Sequence, residues 1–209
     1  MEKKFGMLKG LSEIYICEIT DTEEEYAEVG TPEQLIPAGE MTVGKSIEKA
    51  QYYFDNAMWE EVGREAPSEM SLIGAAVRAA FLAKIEGKDV DPETGAILDD
   101  GDWHKKFYAI SGKKDYTDGT SEHFWFLKCS FGGAEEAAKT KDASTDASGS
   151  TLPFTAYSTL HKFEDGKHRK VIRIDSTTTK IIDSQSWTAQ VVTPDNLSTV
   201  CQKVAAGAE

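Results

Sequence analysis

The sequence predicts a mainly β protein, a sandwich or barrel-forming fold with one flanking α-helix. Three observations carry that expectation. Most of the chain alternates apolar and polar residues with period two. One stretch alone, Ala75 to Gly87, changes to helical spacing. The connections between the alternating runs are rich in Gly, Asp, Asn and Ser, which favour turns.

Taken in order, "GLSEIYICEIT" and "CEITDTEEEYAEVG" read as a strand, a turn and a second strand. Met41 to Phe54 reads as one long strand, aromatic toward its end at Tyr52, Tyr53 and Phe54. It breaks at Asp55-Asn56, and Asp55 to Ser68 is expected to be an extended, apolar-tipped loop carrying Met58, Trp59 and Val62 among charges. Glu69 to Ala75 resumes the strand as its pairing partner. In "AAVRAAFLAKIEG", Val77, Phe81 and Ile85 stand four apart with Leu82 beside them, which predicts a helix of about three turns with an inward apolar stripe. Gly87 is placed to close it in a left-handed conformation.

Beyond the helix, "DPETG" and "DDGD" are turns. Trp103 to Ile110 alternates, "HFWFLKCSF" from His123 to Phe131 presents apolar side chains on both faces, and "LPFTAYSTLHKFEDGKHRKVIRID" reads as a hairpin turning at Asp165-Gly166. Two polar connectors, Ser111 to Glu122 and Gly132 to Ser150, separate these strands. After Ser176 the chain still carries Ile181, Ile182, Trp187, Val191 and Val192, too apolar for a linker, so this stretch is expected to dock. The division expected is a β domain over 1–175, with an extended loop at 55–68, and a C-terminal extension or arm over 176–209.

With 209 residues the chain can bury a sizeable core. Its net charge of −13 argues against a dedicated nucleic-acid binder, which needs clustered Lys and Arg against phosphates. Nine of the acids lie between Ser12 and Glu40, a span without Lys or Arg, and a solvated acidic loop is the reading expected there. Glu13 and Glu18 interrupt what a signal peptide would need as an apolar run, and no run of eighteen apolar residues occurs. Cys17, Cys129 and Cys201 are odd in number and widely spaced, the pattern of buried thiols in a reducing compartment.

Catalytic and metal chemistry find little to work with. His104, His123, His161 and His168 are scattered and lack Cys or Glu at ligand spacing, and there is neither a Gly-rich phosphate loop nor a serine elbow. Glu60 and Glu61 are adjacent and read as solvated charges. "DVDPETGAILDD" places Asp89, Asp91, Glu93 and Asp100 at positions one, three, five and twelve of a calcium-type loop. Thr94 stands where that loop requires Gly, Pro92 stiffens it, and Asp replaces the closing Glu, so a plain turn is the preferred reading. No enzyme activity, metal or cofactor is expected.

The order of the pieces "GLSEIYICEIT", "YAEVGTPEQL", "YYFDN", "EGKDVDPETGAIL", "FYAISG", "WFLKCSFG" and "TKDASTDASGSTLPFTAY" resembles the major tail proteins of long-tailed bacteriophages, from Phe5 to about Ile174. The chain departs from that pattern in its longer "KKDYTDGTSEH" connector and after Ser176. The resemblance implies a virion structural protein that assembles with itself into stacked hexameric rings, forming a hollow tube through which DNA passes without specific binding. It implies tape-measure and tail-end proteins as further partners, no membrane anchor, and a place in the virion tail after synthesis in the host bacterial cytoplasm. Six copies would bring a formal charge of about −78 to each ring, discouraging adhesion of DNA. The candidate self-assembly residues are Tyr53, Phe54, Asp55, Asn56, Met58, Trp59 and Val62. Val77, Phe81, Leu82 and Ile85 are the candidate core of the helix. A carbohydrate-binding or adhesive β-sandwich is the alternative, since it too would show scattered Trp and Tyr.

Overall fold

The computed structural model describes residues 6–102, 104–133, 149–183 and 185–204. Most of the Gly132 to Ser150 connector and Trp103 lie outside them. The chain forms β1 (Leu8–Asp21), β2 (Tyr26–Gln34), β3 (Ala38–Val43), β4 (Ile47–Phe54), β5 (Ala57–Glu65) and β6 (Ser68–Gly74), then α1 (Ala79–Glu86). There follow β7 (Asp89–Val90), β8 (Ile97–Leu98), β9 (Tyr108–Tyr116), β10 (Ser121–Phe131), β11 (Ser150–Ala156), β12 (Val171–Asp175) and β13 (Thr179–Ile181). The short helices α2 (Ser186–Ala189) and α3 (Leu197–Val200) precede β14 (Cys201–Lys203). The protein is mainly β, and its strand pairs are antiparallel.

Eight strands make one sheet in the order β2-β1-β9-β10-β11-β6-β3, with β12 also paired to β10. The sheet curls until β3 contacts β1, and the curl encloses an apolar core. Ile14 and Ile16 of β1, Tyr108 and Ile110 of β9, Phe124 and Phe126 of β10, Leu152 and Phe154 of β11 and Leu72 of β6 fill it. The intervening positions point the other way, as the period of a strand requires. Cys17, Ile19, Ala109, Trp125 and Leu127 therefore make a second core on the opposite face.

The stretch after Ser176 covers that second core. Trp187, Val191, Val192, Val200 and Cys201 are buried in it. Trp125 Nε1 donates to the Trp187 carbonyl at 3.0 Å, Trp187 Nε1 donates to Ser111 Oγ at 3.2 Å, and the Val191 N–H donates to Glu28 Oε1 at 3.0 Å. His123 meets the Trp187 ring edge-on, 5.7 Å between centroids.

Several elements differ from expectation, each for a local reason. The helix begins at Ala79 instead of Ala75, because the preceding residues are held in extended contacts. Ala75 N–H donates to the Pro37 carbonyl, and Val77 N–H donates to Ser150 Oγ. Leu82 and Ile85 are buried, while Val77 and Phe81 pack on the core from partly buried positions. Gly87 ends the helix with φ 74°, and a Cβ there would lie 2.4 Å from the His104 carbonyl oxygen.

The expected connector from Ser111 is strand through Tyr116, and the turn is confined to residues 117–120. Its charges are paired at the ends of both faces: Lys113 pairs with Glu13 at 3.5 Å and Asp115 at 3.3 Å on one, and Lys114 with Glu122 at 3.1 Å on the other. Gly112 lies against the core, where a Cβ would come within 2.3 Å of the Phe124 ring.

The expected hairpin around Asp165-Gly166 has its turn, with Gly166 at φ 73°, and its arms are tied near it by Thr159 N–H to Arg169 O at 3.0 Å and Phe163 N–H to Lys167 O at 3.3 Å, but farther out β11 and β12 form no ladder with each other. Both pair with the same edge of β10, β12 along Glu122–Phe126 and β11 along Cys129–Phe131. The two bonds Leu127 N–H to Lys170 O and Tyr157 N–H to Lys128 O bridge the junction.

The acidic span from Ser12 to Glu40 is strand for most of its length, and only the exposed turn with Glu23, Glu24 and Glu25 fits a solvated loop. Glu18 pairs with Lys106 at 3.3 Å, and Glu33 with Lys84. Asp21 is wholly buried at its side chain and forms a 2.6 Å ion pair with Lys128, itself 7% exposed. The Leu160 and His161 N–H groups donate to the two Asp21 oxygens at 2.8 and 3.0 Å, and Lys128 Nζ stands 4.4 Å from the centre of the Phe107 ring.

Candidate assembly interface

The segment expected as a loop at 55–68 is the second strand of a ribbon. Asp55 and Asn56 both take left-handed backbone angles (φ 50° and 61°), the geometry of a two-residue hairpin turn whose twist suits the flanking strands. Asp and Asn tolerate these angles better than other residues with a Cβ. β4 and β5 then pair from Phe54↔Ala57 down to Ile47↔Glu65, with a bulge opposite Tyr52/Tyr53 that leaves Trp59 as the extra residue. The charges in "WEEVGRE" concealed a strand, because a strand exposed on both faces need not alternate.

This ribbon continues the edge of the main sheet. β3 pairs with β6 as far as Val43↔Met70, and β4 pairs with β5 from Ile47↔Glu65, so one long hairpin is interrupted only at 44–46 and 66–67. Across the interruption the backbone keeps two bonds, Gly44 N–H to Glu69 O at 2.8 Å and Ala66 N–H to Ser46 O at 2.9 Å. Gly44 permits the first, since a Cβ would sit 3.1 Å from that carbonyl oxygen. Eight residues of β4 at about 3.3 Å each carry the tip about 26 Å from this junction.

Every residue of β4 and β5 is exposed. Cross-strand partners share a face, so the register sorts the two sides. Ala50, Tyr52 and Phe54 lie on one, with Val62 opposite Ala50, and the Trp59 ring meets Phe54 edge-on at 6.2 Å. The other side carries Lys49, Gln51 and Tyr53 from β4, with Glu61 opposite Gln51 and Met58 opposite Tyr53. It is laced by hydrogen bonds: Lys49 Nζ to Glu61 at 2.7 Å, Gln51 Nε2 to Glu61 at 2.8 Å and Tyr53 Oη to Gln51 at 2.9 Å. The bonds from Lys49 and Gln51 hold the Glu61 carboxyl below its ordinary range.

The sequence-derived candidates thus gather on one projecting element, with Asp55 and Asn56 as its turn. Two residues belong with them that were not singled out. Tyr52 is half exposed on the apolar side, and Ile47 is exposed at the base. The alternation Ala50, Tyr52, Phe54 was the available signal for Tyr52. Trp59, at 77% exposure, is the most prominent aromatic.

Other candidate chemistry falls into structural roles. Asp91 Oδ1 accepts from the Glu93 and Thr94 N–H groups and the Thr94 hydroxyl, the internal bonding of a turn between β7 and β8. His104 bonds Asp100 at 2.7 Å on the surface. Among the described residues no group of three or more His, Cys, Asp or Glu is arranged to hold a metal, and no helix is long and apolar enough to cross a membrane. Burial raises the thiol of Cys17 to about 11, and that of Cys129 further still.

No protein-family model matches the chain, and no curated protein matches it. The chain is similar to a chain in the cryo-EM structure of an extracellular contractile injection system, the PVC sheath–tube complex in its extended state. The identity is 10%, the match covers 77% of this chain and 87% of the other, and the TM-score is 0.41. It is also similar to a chain in the cryo-EM structure of the anti-feeding prophage cap, which terminates the AFP tube, at 9% identity over 78% and 88% with a TM-score of 0.42.

Proposed function

We propose that this protein is a tail-tube subunit that assembles with itself into stacked hexameric rings, and that the ribbon of β4 and β5 is the contact from one ring to the next. The observation that carries the reading is the ribbon itself. A two-stranded hairpin is at best marginally stable alone in water, and this one exposes Tyr52, Phe54, Met58, Trp59 and Val62 together. Clustered apolar side chains rimmed by charge are the composition of a surface that a partner covers.

The main sheet supports the same reading. It ends in two edge strands, β2 and β3, and joining β2 of one copy to β3 of the next would satisfy both edges and close a ring. The outward positions of β3, β6 and β11 include Glu40, Thr42, Glu69, Ser71, Thr151 and Thr155, a hydroxyl-rich acidic surface suited to a channel that DNA crosses without adhering. Tape-measure and tail-end proteins are the further partners this role requires, and the virion tail is its place.

The test keeps the sheet and removes the arm. Joining Glu48 to Arg64 through Asn-Gly retains the two basal pairs and supplies a favoured tight turn. Circular dichroism and the melting temperature should match the full-length protein, while electron micrographs show no tubes. Normal tubes would overturn the assembly role, and loss of the fold would place the ribbon's aromatics in the subunit's own stability. A monomer of full-length protein that binds sugar would favour an adhesive module.

A further inference from the structure

The junction between ribbon and sheet is narrow, yet one side chain from a distant strand crosses it. Lys170, just before β12, is largely buried, and its Nζ donates to Glu65 Oε1 at 2.9 Å, the Ala66 carbonyl at 2.7 Å and Ser68 Oγ at 3.3 Å. These acceptors belong to the last residue of β5, the interruption and the first residue of β6. One ammonium with its three donors thus spans the whole interruption on that strand. Its own backbone is fixed to the centre of the sheet, because the Lys170 carbonyl accepts the Leu127 N–H at 2.9 Å. From the geometry we infer that Lys170 is a latch that sets the direction of the ribbon, presenting its apolar face pre-aimed for a second copy of this chain.

The other ties at the junction do not fix direction. Gly44 N–H to Glu69 O extends the β3–β6 pairing on the sheet side, and Ala66 N–H to Ser46 O closes the base of the ribbon; both run across the hairpin and neither ties the ribbon to the sheet along its length. Pro67 lacks an N–H and lies where the ladder is interrupted. Glu65 registers the latch electrostatically: the hydrogen bond from Lys170 is the main cause holding its carboxyl below the ordinary range. An arm about 26 Å long turns a small change of angle at its base into a large displacement of Trp59 at the tip. Binding by an arm aimed only part of the time is weakened by the fraction that is correctly aimed.

This inference rests on the assembly reading for its purpose but not for its first measurement. Spin labels at Asn56→Cys, on the ribbon tip, and Thr117→Cys, on the exposed turn between β9 and β10, report the arm's direction by pulsed distance measurement. The three native thiols are buried and stay unlabelled under native conditions. The protein with Lys170 intact should give one narrow distance distribution. Lys170→Met should broaden it, and Glu65→Ala, which removes only the exposed acceptor, should broaden it less. If the arm then samples about ten directions, the concentration needed for tube growth rises about ten-fold in Lys170→Met. Narrow, unchanged distributions in both variants would overturn the latch even if tubes form normally. If Lys170→Met does not fold, Glu65→Ala alone decides by the same criterion. Should the intact protein make no tubes, the assembly reading falls, while the distance distributions still judge the latch.

Discussion

Replacing Lys128 with Met tests how the end of β1 is held to β10, two strands away. The Asp21 carboxylate, wholly buried, would keep its bonds from the Leu160 and His161 N–H groups but lose the Lys128 ammonium paired with it. Removing one partner of a buried pair costs about 3–5 kcal/mol, since the remaining charge is left uncompensated. For a chain of this size each kcal/mol moves the melting temperature by about 2–4 °C, so a fall of about 6–20 °C is expected. Adding Asp21→Asn should recover part of it, because no charge remains buried while an amide oxygen still serves a backbone N–H. Thermal melts of the two single variants, the double variant and the parent form a cycle that isolates the coupling. A Lys128→Met protein that melts with the parent would show that water reaches the carboxylate and would refute the reasoning.

Four further variants probe the two cores. Trp187→Ala should cost about 3–5 kcal/mol, seen as a lower urea midpoint, and should increase amide exchange around Val191, since Trp187 anchors the C-terminal layer. Burial holds the His123 imidazole below its ordinary value of 6.5, with weaker and mixed effects from Glu13, Lys113 and Asp115. Its neutral form is therefore favoured in the fold, so its stabilising contribution is present above pH 6.5 and is lost as the pH falls through the lowered value; His123→Phe should flatten the melting temperature between pH 7 and 5 relative to the parent. In the helix, Ile85→Ala should cost about 2–5 kcal/mol in chemical denaturation, and Phe81→Ala less than the value for a fully buried aromatic, because Phe81 keeps part of its ring in water.

The parts of this fold that were legible in the sequence are those where burial imposes a period. "HFWFLKCSF" is apolar on both faces because β10 lies between two cores, with Phe124 and Phe126 on one side and Trp125 and Leu127 on the other. Gly87 was legible as a helix end because so few residues accept its backbone angle. Trp187, Val191 and Val192 marked a docking segment, though not the face they cover. The ribbon's outer strand was illegible for the opposite reason: Glu60, Glu61, Arg64 and Glu65 face water, and nothing forces them to alternate. The pairing of β12 with β10 was also hidden, since period two identifies a strand but not its neighbour. The first residues of the expected helix had adequate helical character, yet bonds to Pro37 and Ser150 claimed them for the sheet's rim. For the candidate assembly residues the sequence supplied the aromatics and the turn, and the structure supplied the arm that carries them.

The two-residue turn at Asp55-Asn56 also has a consequence in time. Contacts within β4 and β5 are all local, and hairpins of this kind form within about 1–10 μs. The main sheet instead pairs β1 with β9 and β6 with β11, segments many tens of residues apart, and such topologies fold in milliseconds to seconds. A newly made chain therefore samples its apolar arm, transiently, well before the body that carries it is complete. In a crowded cell that interval favours premature association between half-folded copies, and the lysine, glutamate and glutamine bonded across the ribbon's polar side act as gatekeepers against stacking on that side.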